Sequence, residues 1–204
     1  MNDLEIVFFH ELGHYIAHEL NYELYGIGKV ESIDFIEYQL PNGLQYQGKT
    51  IPLVSDGDNR DKELTNLPEK IAELVYGCYF QTLYTKLPFK SCFDFHNDQS
   101  KGYIDAKCLV GALMQFRINR ERIILYPYLN EEYFDELTKR ESEFNSVFRI
   151  NYEDCINKTD SGYVADLHKL YELTTDFRKL HKPTFQKFVE RIKEIINWEK
   201  IKDS

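Results

Sequence analysis

A chain of 204 residues with 15 Tyr and 14 Phe is long and aromatic enough to bury one sizeable core, so a disordered chain is excluded. Its formal net charge of −9 argues against nucleic acid and against an anionic membrane surface as partners. No apolar run approaches the ~18 residues that mark a membrane span, the opening MNDLE lacks the basic region of a signal peptide, and the cysteines at 78, 92, 108 and 155 form no C-x-x-C; a cytoplasmic protein with reduced thiols is expected.

The first predicted helix covers about 3–22 and contains FFHELGHYIAHEL, residues 8–20. Within it, His10-Glu11-Leu12-Gly13-His14 is an H-E-x-x-H. Positions i and i+4 share a helix face, so both imidazoles can reach one metal ion, with Zn²⁺ as the expected cofactor. Glu11 can then touch a water on the ion rather than the ion itself, which is the place of a general base. The bland alternative is a core helix that happens to carry two histidines. Phe8, Phe9, Ile16 and Leu20 do frame a buried helix, but a chance H-E-x-x-H in a chain this long should occur only about once per hundred proteins or less. Gly13 costs ~1 kcal/mol in a helix interior, and close approach of another segment would explain it. His18 extends the same face, but it lies about 12 Å from His10 along the axis, at 1.5 Å per residue; a partly exposed or ligand-orienting role is expected.

Residues 29–38, KVESIDFIEY, alternate Ile33 and Phe35 with polar neighbours and read as a strand. Asn42-Gly43 marks a tight hairpin turn, 44–54 returns as a second strand, and Pro52 makes its far end an edge or exit. SDGDNRDKELTN, 55–66, is a polar loop. A second helix opens at Asn66 with Pro68 in its first turn and Glu69 three residues after the cap; Ile71, Leu74, Val75, Cys78 and Leu83 form its inner face. A third helix is expected from Asp98 or Ser100 to about Phe116, with Ile104, Cys108, Leu109 and Ala112 inside. After Pro127 the chain reads as helical throughout: about 131–148 capped by Asn130, about 161–181, and a last helix begun by Pro183.

Gly43-Leu-Gln-Tyr-Gln-Gly48-Lys49-Thr50 matches the phosphate-binding pattern G-x-x-x-x-G-K-[ST]. That chemistry needs a helix N-terminus after the loop. Ile51-Pro52-Leu53-Val54 follows instead, so the glycines are read as a hairpin turn and a strand bulge.

The order of these pieces resembles the zinc peptidase domain of FtsH-type membrane proteases. The matching segments are HELGH at 10–14, KVESI at 29–33, IAELVYGCYFQTL at 71–83, and Asn97-Asp98 followed by Gly102 and Ala106 at two small positions. The likeness covers about residues 5–116. It implies that Asp98 is the third metal ligand beside His10 and His14, with Asp94, His96 and Asp105 as competitors in the same stretch. It also implies a metallopeptidase in which Glu11 is the catalytic base. The family's acidic pair after its GRA segment is here Gln81-Thr82, a departure at the residues that would tune the ligands. The ATPase module of the family has no counterpart in this chain, so short peptides, flexible loops or unfolded protein are the expected substrates. A second resemblance is to ImmA/IrrE-like regulatory metallopeptidases, whose motif often reads HELGH-x-x-x-H; Glu69 or Glu73 would then supply the third ligand. A non-catalytic metal-binding or interaction module with the same fold is the third reading.

The expected fold class is α+β, mostly helical, with a small sheet flanking the H-E-x-x-H helix. Residues 1–116 form a peptidase-like core and 117–204 a helical part packed on the same domain. The sequence leaves a homo-oligomer open.

Overall fold

The computed structural model describes residues 2–41, 43–53, 66–118 and 120–201. The fold class is as expected: helices dominate, with one small antiparallel sheet. Helix α1 spans Asp3–Tyr25. The Asn2 side chain accepts from the Glu5 amide to start it, and Gly26 at φ 74° ends it about one turn later than the sequence suggests. Every residue of α1 from Val7 to Asn21 is buried, so this helix runs through the middle of the molecule. Its polar members therefore need partners, and they have them. His10, Glu11, His14, His18, Glu19 and Asn21 each face a charged or hydrogen-bonding group from another element.

Strands β1 (Val30–Leu40) and β2 (Gly43–Pro52) form the expected hairpin, although Asn42 of its turn lies outside the described residues. The polar loop expected over 55–66 likewise falls outside them, except for Asn66. Helix α2, Leu67–Thr85, starts at Asn66 with Pro68 in its first turn, as its sequence dictates. It packs along α1, and Gly13 lies where the two helices approach closely. A Cβ there would lie 2.4 Å from the Tyr76 carbonyl oxygen and 2.9 Å from the Gly77 Cα. Backbone cannot step aside as a side-chain tip can. Gly13→Ala should therefore lower stability by about 1–3 kcal/mol or more, despite the better helix propensity of Ala. Thermal denaturation checks this, and an unchanged or raised Tm would contradict the close packing.

Helix α3 is Tyr103–Gln115, so it begins later than the expected 98–100. Its buried face is Ala106, Leu109 and Leu113, while Ile104 and Cys108, expected inside, are exposed. Asp105, in the first turn of α3, faces His10 of α1.

The second half departs from an all-helical reading. Helices α5 (Tyr133–Lys139) and α6 (Glu141–Phe148) replace the one helix expected over about 131–148, preceded by the unforeseen α4 (Arg122–Pro127) and a π turn at Tyr128–Glu132. Strands β3 (Ile156–Thr159) and β4 (Gly162–Ala165) then make a second hairpin. The sheet order is β2-β1-β4-β3, so the second hairpin covers the inner edge of the first and leaves β2 on the outside. Four-residue strands carry too little alternation to be read from sequence; pairing of Asp34, Phe35 and Ile36 with β4 is what makes them strands. Helix α7 runs unbroken over Leu167–Ile195 with Pro183 inside it, where a new helix was expected. Phe177, His181, Phe185 and Phe188 are buried on both sides of that proline, and their packing holds the helix together where one backbone hydrogen bond is missing. The short helix α8, Trp198–Ile201, follows. Buried Arg178 of α7 pairs with Glu19 and Glu23 of α1, and apolar residues of both halves belong to one core cluster.

Candidate metal centre

Three side-chain atoms converge beside the middle of α1. His10 Nε2 and His14 Nε2 are 3.0 Å apart, and Asp105 Oδ2 lies 3.1 Å from the first and 3.4 Å from the second. The opposite ring nitrogens are committed elsewhere. Gln81 Oε1 lies 3.0 Å from His10 Nδ1, and the Glu73 carbonyl oxygen lies 2.7 Å from His14 Nδ1. Both acceptors call for N–H at Nδ1. That leaves the Nε2 lone pairs, with the carboxylate, pointing into one triangle. Two lone pairs and an anionic oxygen at this spacing repel unless a positive charge stands among them. A tetrahedral ion with bonds of ~2.0–2.1 Å sets its ligand atoms about 3.3 Å apart, close to the observed sides. The donor set, two imidazoles and one carboxylate, suits Zn²⁺.

The proton affinities say the same. Burial opposes charge on His10, yet the Cys92 sulfur and Asp105 raise its pKa well above the ordinary value. Burial likewise opposes charge on His14, and Asp105 raises it. Burial pushes the Asp105 carboxyl up, but His14 and His10 outweigh it and hold the group far below the usual carboxylate range. His14 and Asp105 thus favour positive charge at the triangle, while Cys92 acts on His10 from its Nδ1 side.

Glu11 approaches from the other side. Its carboxylate and the two imidazoles offer atoms within 4.8 Å of one another. Thr50 Oγ1 donates to Glu11 Oε2 at 2.8 Å, which fixes the carboxylate from β2. Gly48 makes room for it, since a Cβ there would lie 2.3 Å from Glu11 Cγ. Gly48 and Thr50, the tail of the phosphate-loop look-alike, thus serve to seat Glu11. The strand bulge expected from that pattern is not at Gly48, which pairs in register with Phe35; the irregularity lies between Val30 and Ser32. Gly77 does for His14 what Gly48 does for Glu11, because a Cβ at 77 would lie 2.3 Å from His14 Nε2.

A cleft of about 660 Å³ runs along α1 from Val7 to His18, between β2 and the approach to α3. Among the described residues β2 is the outer strand, and its Tyr46 amide and carbonyl both point off the ladder, donating to Asp3 at 2.7 Å and accepting from Lys101 at 3.1 Å. Antiparallel pairing alternates, so the main-chain groups of Gly48 and Thr50 point to the same outer side.

Of the residues singled out from sequence, His10, Glu11 and His14 come together and Asp98 does not join them. Asp98 is exposed in the turns before α3, where its Oδ1 accepts from the Gln99 side chain. Asp105 takes the place expected of Asp98. The reason is the helix start: the first turn of α3 favours a carboxylate, and that turn holds Asp105. Asp94 accepts from the His96 amide, and His96 is exposed against the Phe95 ring. His18 lies 3.2 Å from Glu73 Oε1, and Glu69 pairs with Lys193, so these groups are engaged away from the triangle. Gln81, a lost acid by its sequence position, is the acceptor that orients His10. Thr50 enters the sequence reading only as the end of the phosphate-loop look-alike, and its place at Glu11 is missed; the signal available is its alternation with Gly48 on one face of β2. Gln81→Leu should weaken zinc binding ~10–100-fold, as loss of a ligand-orienting hydrogen bond does. Competition against a chromophoric chelator measures this, and wild-type affinity in the variant would leave His10 oriented by something else.

The chain matches no family model, no curated protein and no solved structure. The site therefore rests on its own geometry.

Proposed function

We propose that the protein is a zinc-dependent peptidase that cleaves short or unfolded polypeptide segments. The observation that supports this most is the triangle of His10, His14 and Asp105 with the Glu11 carboxylate beside it in an open cleft. In this reading His10, His14 and Asp105 hold the ion, which when bound supplies Lewis-acid activation of a water and of the scissile carbonyl. Glu11 takes a proton from the water and returns it to the leaving amine. Thr50 keeps one Glu11 oxygen occupied, so the other is the proton carrier. The outer edge of β2 receives the substrate as an added strand through Gly48 and Thr50. That edge is short. Asp3 and Lys101 already occupy Tyr46, and Pro52 has no N–H to offer. Only a brief extended segment fits, in keeping with peptides and unfolded tails rather than folded chains. The FtsH-like order of motifs agrees with this function, with Asp105 in the role expected of Asp98. Gln81, though uncharged, still supplies an acceptor to His10, which supports a ligand held in the orientation that the peptidase reading requires.

The test is turnover of a quenched-fluorescent peptide library by the full chain, with and without zinc and with a chelator. Zinc-dependent, chelator-reversible cleavage is expected. Cleavage indifferent to the chelator, or none from a zinc-saturated chain across the library, would refute the proposal.

A further inference from the structure

On the Nδ1 side of His10 lies a pair of cysteines that the proposed chemistry does not use. Cys78 of α2 and Cys92, just after the 3-10 turn Phe89–Ser91, are both wholly buried, and their sulfurs are 2.7 Å apart. Cys92 Sγ is also 3.2 Å from Gln81 Oε1 and 3.6 Å from His10 Nδ1. Gly102 creates the space in which the sulfurs meet, since a Cβ there would lie 2.1 Å from Cys78 Sγ and 3.1 Å from Cys92 Sγ. We propose that Cys78 and Cys92 are a redox-reactive pair that closes to an intramolecular disulfide in the presence of a peroxide.

The approach required is small. A disulfide needs an S–S separation of ~2.05 Å, and Cys92 sits on irregular chain that can shift toward the fixed α2. A second zinc ion on the same groups fits less well. Tetrahedral zinc with bonds of ~2.3 Å holds two thiolates about 3.7 Å apart, wider than the sulfurs are, and His10 Nδ1 already faces Gln81. Cys108 is exposed and Cys155 belongs to a different buried region beside β3, and neither joins the cluster. The step balances with hydrogen peroxide as oxidant. One thiolate attacks an oxygen, the O–O bond breaks, and a sulfenic acid and hydroxide form. The second thiol displaces the sulfenic oxygen as the S–S bond forms. Two thiols and one peroxide give one disulfide and two waters. The closed bond ties the segment that leads into α3, and so to Asp105, onto α2. It also removes the S–H beside Gln81 Oε1, leaving that acceptor to His10 alone.

Disulfide closure is independent of peptide cleavage, and the test reads thiols directly. The full reduced chain is exposed to hydrogen peroxide, unfolded in a thiol-blocking reagent, digested and examined by mass spectrometry. The expected result is a linked pair of peptides carrying Cys78 and Cys92, lighter by two hydrogens and separated again by dithiothreitol, with no covalent dimer. Cys108→Ser should give the same linked pair. Full alkylation of both Cys78 and Cys92 while Cys108 is consumed would overturn the proposal, as would Cys92 passing to sulfinic acid with no link. A second equivalent of zinc that protects both thiols from peroxide would also overturn it, in favour of a metal site.

Discussion

Glu11→Gln should abolish peptide cleavage and leave zinc bound. Glu11 is buried, fixed by Thr50 and beside the two imidazoles, but the triangle of close contacts is completed by Asp105 without it. Gln keeps the size and can still hydrogen-bond Thr50, yet it cannot carry a proton. Loss of general acid–base catalysis predicts a fall of ~10²–10⁴-fold or more in turnover. Folding should be little affected, because the replacement fits the space beside Gly48. The paired measurement is zinc content and peptide turnover in wild type and variant. Zinc lost together with activity would make Glu11 a ligand, and unchanged cleavage would remove it from the reaction.

Asp105→Ala should cost the chain more of its zinc affinity than any change that merely orients a ligand. Loss of an orienting partner costs ~10–100-fold in affinity, and removal of one of three ligands should exceed that. Asp98→Ala is the control, because that side chain is exposed and bonded to Gln99. Titration against a chelator of known affinity, on both variants, separates the two. Zinc weakened by Asp98→Ala and untouched by Asp105→Ala would mean that the approach to α3 rearranges on binding and that Asp98 is the ligand after all.

Much of this arrangement is legible in the amino-acid sequence. The i, i+4 spacing of His10 and His14 on a helix with apolar flanks fixes the pair, and Gly13 announces the close approach of another segment. Tight turn chemistry and alternation locate the first hairpin. Other parts are hidden for physical reasons. Asp98 and Asp105 are seven residues apart and would share a face of one continuous helix, so choosing between them needs the helix start, and α3 begins only at Tyr103, after Asp98. Ile104 and Cys108 look like core residues by composition, but α3 packs through Ala106, Leu109 and Leu113 and leaves those two exposed. Gln81 reads as a missing charge because sequence shows formal charge and not the acceptor oxygen that His10 Nδ1 requires. The second hairpin and the unbroken α7 are decided by tertiary contacts, with β1 and with the buried aromatic cluster, that no local pattern records.

The proposed chemistry stands or falls on one metal ion held by His10, His14 and Asp105. The decisive experiment is a crystal structure of the zinc-loaded protein, with anomalous diffraction measured across the zinc absorption edge. The expected result is one strong anomalous peak within ~2.0–2.2 Å of His10 Nε2, His14 Nε2 and an Asp105 oxygen, with Glu11 facing the remaining position. A peak at Asp98 or at the Cys78–Cys92 pair, or a saturated crystal with no peak beside α1, would contradict it.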